Sequence, residues 1–328
     1  MSCVKRRISI IHGGAPELPI YYNNAVERRT SIPKSNVLGR AADLIQSLVI
    51  RWENEKHAAK FNDLFRSRYG SDFPLVEDLA RDASIDFVSR HPLIDEARPI
   101  TPKMKYIGGI TTRKPKALSK EFDDILSLRP STVLFAFGTM IPAAFIPERV
   151  IEAFVRSFKK FPSHTFLMKL DSRTFPDAPN VVAMDWLPQA DLLNDPRVVA
   201  FLSHVGMNSF TEAAMAGKPM VALPLQIDQF YNAEVAVSLG IAYRVTKDKL
   251  NEERITEALR IVLEGEEIRD RSAAVARMLA EWPESPERIL VESIQFAAKH
   301  ENLSRHLTPV GADYSLFVQN GYDAFLLL

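Results

Sequence analysis

The feature that most constrains this 328-residue sequence is a regular alternation of strand-like and helical segments that begins at Ser131. The strand-like runs are almost continuously apolar, as in Val198–His204, which is typical of strands covered on both faces of a sheet. Because parallel strands are joined by crossover helices, the alternation predicts a parallel, doubly wound α/β sheet. The predicted strands are Thr132–Phe137, Thr165–Leu170, Val181–Trp186, Val198–His204, Met220–Leu225 and Ala242–Val245.

The helical segments and the boundaries between domains follow from spacing and from helix-breaking residues. The predicted helices of this region are Pro147–Lys160, Asp191–Asn194, Asn208–Ala216, Asp228–Leu239, Asn251–Glu264, Ile268–Glu281 and Glu287–Lys299. Before Ser131 the texture is mixed, with helices predicted over Asn36–Phe65 and Pro74–Arg81 and a strand over Ser84–Ser89. We predict an N-terminal unit over 1–110, a linker over 111–130, a second domain over 131–300 and a tail over 301–328.

Composition excludes several classes of protein. Equal numbers of basic and acidic residues, 41 each, give no electrostatic reason to expect nucleic acid as the main partner. A single cysteine, Cys3, excludes an intrachain disulfide and a cysteine-based metal cluster. The apolar run Ile8–Ile11 is shorter than the core of about 7–15 residues that a signal peptide needs. The uncharged stretch Pro130–Pro147 is interrupted by glycine and proline, so it is a poor candidate for a membrane span.

The loops that follow the strands are where a ligand is expected. In a doubly wound sheet, ligands bind beyond the carboxyl ends of the strands. Four of these loops are polar or contain glycine, and all four belong to the second domain: Gly138-Thr139, Trp186–Gln189, His204–Glu212 and Leu225–Gln229. The sequence therefore predicts one binding crevice built from these four loops.

The loop His204–Glu212 has two interpretations. As a phosphate site, it would use the amides of a helix start, close approach at Gly206, and hydrogen bonds from His204, Asn208 and Ser209. Glu212 would then accept hydrogen bonds from ribose hydroxyls. Alternatively, Ser209 and Glu212 form a capping box, and His204 is a histidine satisfied at the end of a strand.

Two further loops also have two interpretations each. Trp186 at a strand end is either a core residue or a platform that stacks on a flat base, with Gln189 pairing to the base edge. Asp228 is either the N-cap of a helix or, together with Gln229, a pair that grips sugar hydroxyls.

Taken together and in order, these residues resemble the donor-binding signature of the UDP-glycosyltransferase family, especially its animal members. The resemblance extends over roughly residues 20–328, and the upstream segment Phe135–Thr139 is similar to the first strand and phosphate-side turn of the family. The segments that carry the signature are Trp186–Gln189, Asp191–Leu193, Ala200–Ser209, Glu212, Gly217–Met220, Pro224, Asp228–Gln229 and Asn232–Ala233.

The resemblance implies a GT-B architecture, in which two Rossmann-like domains face a cleft, with the N-terminal domain only partly present here. It implies that Trp186 stacks on uracil, Gln189 contacts the uridine and Glu212 holds the ribose. It assigns Asp228 and Gln229 to the donor sugar. The residues that it assigns to the diphosphate are His204, Gly206, Asn208, Ser209 and Thr139.

The implied reaction is inverting, metal-independent transfer of a hexose or glucuronic acid from a UDP-sugar to a small lipophilic acceptor hydroxyl. The UDP-sugar is a co-substrate, and no separate cofactor is implied. The alternative is a non-catalytic UDP-sugar-binding or regulatory member that lacks the catalytic base. The resemblance also implies membrane association in the endoplasmic reticulum and homo- or hetero-oligomers with family members.

The sequence departs from the family pattern in two places. Where the family usually has His-Gly-Gly or His-Cys-Gly, this chain has Val205 after His204, and a left-handed backbone there would strain a branched residue. The family's catalytic histidine is not identifiable, because His12 lies in a different context. The apolar run Ala324–Leu328 stands where the family's membrane anchor would begin, so we expect both ends of the family's usual chain to be shortened here.

Overall fold

A computed structural model describes residues 37–97, 100–138, 146–171, 174–309, 311, 314, 316–319 and 323. Of the residues and segments singled out from the sequence, these lie outside the described ranges: Cys3, Ile8–Ile11, His12, Thr139 and Ala324–Leu328.

The elements alternate as the sequence predicts from Ser131 onward. The strands are β1 (Asp86–Val88), β2 (Met104–Tyr106), β3 (Ser131–Ala136), β4 (His164–Lys169), β5 (Val181–Met184), β6 (Val198–Ser203), β7 (Met220–Ala222) and β8 (Ala242–Arg244). The helices are α1 (Val37–Tyr69), α2 (Val76–Arg81), α3 (Lys120–Leu126), α4 (Glu148–Phe158), α5 (Gln189–Asn194), α6 (Met207–Met215), α7 (Gln229–Ser238), α8 (Glu252–Glu264), α9 (Glu266–Ala280), α10 (Pro286–Lys299), α11 (Leu303–Leu307) and α12 (Leu316–Gln319). Among the helices of the described ranges, none combines the length and apolar character that a membrane span requires.

The main sheet has six parallel strands in the order β5-β4-β3-β6-β7-β8. The chain adds strands outward from β3 in one direction and then, from β6, in the other, which is the doubly wound order. The predicted parallel sheet is therefore confirmed. Its reversal point lies between β3 and β6, where Ala136 pairs with Ser203 at the carboxyl ends of both strands.

Both faces of this sheet are covered, which explains the continuous apolar runs. Along β3, Phe135 packs with α4 and α8 on one face, through residues such as Phe154 and Leu259. The neighbouring Leu134 packs on the opposite face, in the cluster that includes Phe210 of α6. Successive side chains of a strand point to opposite faces, so a strand between two helical layers needs apolar residues at every position.

Several element boundaries differ from the sequence prediction. The predicted strands that end at Trp186, His204 and Leu225 are shorter in the structure. At Leu225 the reason is that the apolar run continues past the last paired residue, Ala222. The predicted linker 111–130 contains a helix, α3, which buries Phe122 and Leu126 against the main core. The sequence analysis did not predict this helix, because it assigned 120–126 to the same linker as the polar and basic segment before it.

The segment before the linker is attached to the tail 301–328 through the side chain of one buried lysine. β1 and β2 form a two-stranded parallel sheet, and Lys103 precedes β2 with a side chain that is almost fully buried. Its Nζ donates hydrogen bonds to the carbonyl of Arg81 (2.6 Å), to Ser304 Oγ (3.1 Å) and to Thr308 Oγ1 (3.3 Å). Burial lowers the pKa of Lys103, and the nearby charges of acidic residues oppose that change. One ammonium group thus joins the N-terminal segment to the C-terminal helices.

Replacing Lys103 with methionine is expected to lower the free energy of unfolding by about 1–3 kcal/mol, because three acceptors, of which Ser304 is buried, lose a charged donor. Urea unfolding followed by circular dichroism measures this change. Lys105→Met is the matched control, since Lys105 lies two residues away on β2 and is only half-buried. Equal midpoints for the two variants would show that the buried ammonium group adds nothing to stability.

Candidate functional site

The candidate site lies at the reversal point of the sheet, where the loops after β3 and β6 meet. Gly138 follows β3, and His204 directly follows β6. A β-carbon on Gly138 would lie 2.8 Å from Cε1 and Nε2 of the His204 ring, and one on Gly206 would lie 2.6 Å from Nε2. Gly138 also has a left-handed backbone, with φ of +76°. Both glycines are therefore required by the imidazole that sits between them.

The environment of His204 favours a neutral ring. Its side chain is buried, and this burial lowers its pKa; the charge of Asp228 and the Ala136 carbonyl raise it, and the charge of Lys169 lowers it. Within the part of the chain that the structure describes, Nδ1 makes no hydrogen bond of good geometry. The Ala136 carbonyl acts on the ring without a well-aligned hydrogen bond at Nδ1, and the assignment of His204 to a ligand stays a prediction. The Nδ1 atom is itself buried, and Nε2 faces the two glycines Gly138 and Gly206.

Lys169 is a candidate that the sequence analysis missed. It is the last residue of β4, and its Nζ donates a hydrogen bond of 3.3 Å to the carbonyl oxygen of Gly138. Its charge acts on His204, so it lies at the same edge of the sheet. The position of Lys169 at the end of a predicted strand could have identified it. The loop after Thr165–Leu170, however, was not included among the ligand loops.

The position at which α6 begins contradicts the interpretation of Ser209 and Glu212 as a capping box. The helix begins at Met207, and the N-cap residue is Gly206. Ser209 is therefore the third helical residue and Glu212 the sixth, so neither occupies the position that a capping box requires. Asn208 is exposed in the first turn, next to helix amides that have no intrahelical partner.

Ser209 and Glu212 are instead joined to Gln189, which is the first residue of α5. The side-chain amide of Gln189 donates to Glu212 Oε2 at 2.7 Å and to Ser209 Oγ at 3.1 Å. Burial raises the pKa of Glu212, whereas the Gln189 hydrogen bond and the charge of Arg113 lower it. The structure thus brings together three residues that the sequence placed on two separate loops.

Trp186 is exposed, which rejects the core interpretation. Its side chain is 62% exposed, whereas the next residue, Leu187, is buried in the main cluster. Leu187 therefore anchors the loop, and the indole of Trp186 remains accessible three residues before Gln189.

The loop before α7 is held by its own side chains. Asp228 occupies the N-cap position, but its Oδ2 accepts a hydrogen bond from Asn232 Nδ2 (3.0 Å) rather than capping the helix. Gln229 is buried, and its Oε1 accepts hydrogen bonds from the backbone amides of Leu225 (2.8 Å) and Gln226 (3.0 Å). The capping interpretation of Asp228 is wrong, and Gln229 has a role in ordering the loop.

Val205 has the left-handed backbone that the sequence analysis identified as a source of strain. Its φ is +51°, and its side chain is fully buried. Its amide donates to Ser203 Oγ (3.0 Å), and its carbonyl accepts from Asn232 Nδ2 (2.9 Å). These contacts fix an unfavourable conformation for a branched residue directly beside His204.

Comparison with known proteins identifies the family. Residues 10–327 match the family model described as UDP-glucoronosyl and UDP-glucosyl transferase. The chain belongs to this family. This UDP-glycosyltransferase chain is 26% identical to UDP-glucuronosyltransferase 3A1 of Xenopus laevis over 97% of its own length and 61% of that relative. It is 29% identical to human UDP-glucuronosyltransferase 1A6 over 74% of its length and 45% of that relative. The chain therefore spans less than two thirds of the length of these relatives.

Solved structures confirm the GT-B expectation for the fold. The glycotransferase of kitacinnamycin superposes with a TM-score of 0.59 and 19% identity, covering 78% of this UDP-glycosyltransferase chain and 66% of the other. The calicheamicin glycosyltransferase CalG4 superposes with a TM-score of 0.53 and 20% identity, covering 74% and 59%. At these identities the likeness concerns the fold alone.

Proposed function

We propose that this chain binds a UDP-sugar at the reversal point of its six-stranded sheet and serves the transfer of the sugar to an acceptor hydroxyl. The observation that carries the proposal is the hydrogen-bonded group of Gln189, Ser209 and Glu212. These side chains come from two helices and match the family's donor signature, and the exposed Trp186 lies three residues before Gln189 in the chain.

We assign to each residue of the signature the role that the family resemblance gives it. Trp186 stacks on the uracil, Gln189 contacts the uridine, and Glu212 accepts hydrogen bonds from ribose hydroxyls. Asp228 and Gln229 hold the donor sugar. The residues that we assign to the diphosphate are His204, Gly206, Asn208, Ser209, Lys169 and, by family resemblance, Thr139.

The physical basis of the proposed transfer is the charge of the leaving group. As the acceptor oxygen bonds to the anomeric carbon, the bond to the diphosphate breaks and UDP takes the electron pair. Amides at the start of α6, the neutral His204 and the Lys169 ammonium group stabilise that developing negative charge. The acceptor proton passes to a general base that we do not assign to a residue of this chain. We infer an inverting, metal-independent reaction with a small lipophilic acceptor.

The second candidate function is UDP-sugar binding without transfer. It is favoured by the placement of the donor residues, since all of those that the structure describes lie between Trp186 and Gln229 apart from Lys169, within one sheet and its helices. Calorimetric titration with UDP tests binding, and product formation from a UDP-sugar and a phenolic acceptor tests transfer. UDP binding without product would support the second candidate over the first.

The proposal also covers the cellular location of the protein and its assembly with other chains. From the family resemblance alone, we propose that the chain associates with the endoplasmic reticulum membrane and forms oligomers with family members. Fractionation of cells that express the chain, followed by carbonate extraction and crosslinking, tests these two expectations.

Replacing Glu212 with alanine is expected to weaken UDP binding about tenfold or more, because the ribose loses a charged acceptor. The free energy of unfolding is expected to fall by only about 1 kcal/mol, since Glu212 does not cap α6 and the change removes one hydrogen bond, from Gln189. Calorimetry and urea unfolding measure the two quantities. Glu264→Ala is the control, as Glu264 is an exposed glutamate at the end of α8. A loss of stability without a loss of affinity would return Glu212 to a purely structural role.

A further inference from the structure

Asp191 is a buried carboxylate whose partners come from the segment before α3. It lies on α5, two residues after Gln189, and its side chain is 7% exposed. Arg113 Nη1 donates to Oδ1 at 2.7 Å, and Arg113 Nη2 donates to Oδ2 at 2.5 Å. The backbone amide of Lys116 donates to Oδ1 at 2.7 Å. A bidentate guanidinium pair of this kind fixes orientation as well as position.

This pair acts on a helix that is too short to hold its own position. α5 has six residues and begins at Gln189, so its first turn depends on tertiary contacts. Asp191 and Gln189 belong to that same turn, and the amide of Gln189 is the group that binds Ser209 and Glu212. A constraint on Asp191 is therefore a constraint on the geometry of the group that faces the ribose.

The charge of Arg113 also reaches Glu212. Burial raises the pKa of Glu212, and the positive charge of Arg113 opposes that effect. An ionised carboxylate accepts hydrogen bonds from two neighbouring hydroxyls, whereas a protonated carboxyl uses one oxygen as a donor. Because the Arg113 side chain is 45% exposed, its removal leaves no large cavity.

We propose that Arg113 is a positioning residue for ribose recognition: it binds Asp191 and thereby holds Gln189 and Glu212 in the arrangement that accepts the ribose hydroxyls. The inference rests on the proposed UDP-sugar site. It adds a residue from the segment between the two domains, outside the donor signature, to the determinants of nucleotide specificity. Arg113 acts through Asp191 and does not contact the nucleotide.

Calorimetric titration of the full chain with UDP and with 2′-deoxy-UDP tests this role. The unaltered chain is expected to bind UDP more tightly than 2′-deoxy-UDP. Arg113→Gln is expected to lose about tenfold in UDP affinity, and much less for 2′-deoxy-UDP, so that its preference for UDP largely disappears. Arg113→Lys is expected to recover part of the preference, because it keeps the charge and one hydrogen bond to Asp191. Lys114→Gln, an exposed neighbour on the same segment, serves as the control and is expected to match the unaltered chain.

Asp191→Asn provides a second variant that keeps the shape of the side chain, and it is expected to reproduce the loss of preference. If Arg113→Gln keeps both its UDP affinity and its preference, the inference is wrong and the proposed UDP site stands. If Arg113→Gln loses affinity equally for UDP and 2′-deoxy-UDP, its role is structural only, and the inference is again overturned. If the unaltered chain binds no UDP, the proposed function fails and this inference fails with it.

Discussion

Replacing Trp186 with alanine is expected to weaken UDP binding by about 10- to 100-fold and to leave the free energy of unfolding nearly unchanged. A base stacked on an aromatic side chain contributes about 1–3 kcal/mol, which corresponds to this range of affinity. The indole is 62% exposed, so its removal opens no cavity in the core. The neighbouring Leu187 is buried in the main cluster and still anchors the loop in this variant.

Calorimetry with two ligands separates stacking from other effects of the change. UDP contains the base, whereas inorganic pyrophosphate does not, so only UDP binding is expected to depend on Trp186. Trp52→Ala is the matched control, because Trp52 is a similarly exposed indole on α1, 55% accessible. Equal losses for UDP and pyrophosphate, or a drop in unfolding free energy, would contradict the assignment of Trp186 to the uracil.

The architecture of the second domain was predictable because its signal is local. Each strand of the sheet is an apolar run bounded by turn residues, and each crossover has helical spacing, so element type and parallel order follow from the sequence. The ends of the strands were less predictable. Apolar residues such as Leu225 are semi-buried beyond the last pair of the ladder, and residue type does not distinguish a paired residue from a buried loop residue.

The candidate site was predictable as a set of loops, but its contacts were not. Position after a strand was enough to select Trp186 and His204. It was not enough to find the bond between Arg113 and Asp191, because these residues are 78 positions apart and their pairing depends on how the segment before α3 folds over α5. The left-handed backbone of Val205 was anticipated only through the family resemblance, since residue type alone argues against it.

Replacing Gly108 with alanine is expected to lower the free energy of unfolding by about 3 kcal/mol or more. A β-carbon at this position would lie 2.1 Å from the carbonyl carbon of Arg90 and 2.3 Å from the amide nitrogen of His91. Both atoms belong to the backbone, so no side-chain rotation relieves the overlap. The Gly108 amide also donates a hydrogen bond of 2.8 Å to the Arg90 carbonyl, and this bond would have to lengthen as the two segments separate.

The damage is expected to extend to the second domain, because Arg90 donates to Asn232 Oδ1 at 3.0 Å and lies over the ring of Tyr231. Urea unfolding measures the loss. Gly70→Ala is the control: Gly70 has φ of +103°, but no described heavy atom lies within 4 Å of an added β-carbon. Its cost is therefore limited to the left-handed backbone, about 1–2 kcal/mol. The close packing of Gly108 against Arg90 is refuted if the two variants unfold at the same midpoint, because only Gly108→Ala adds a steric overlap to the conformational cost.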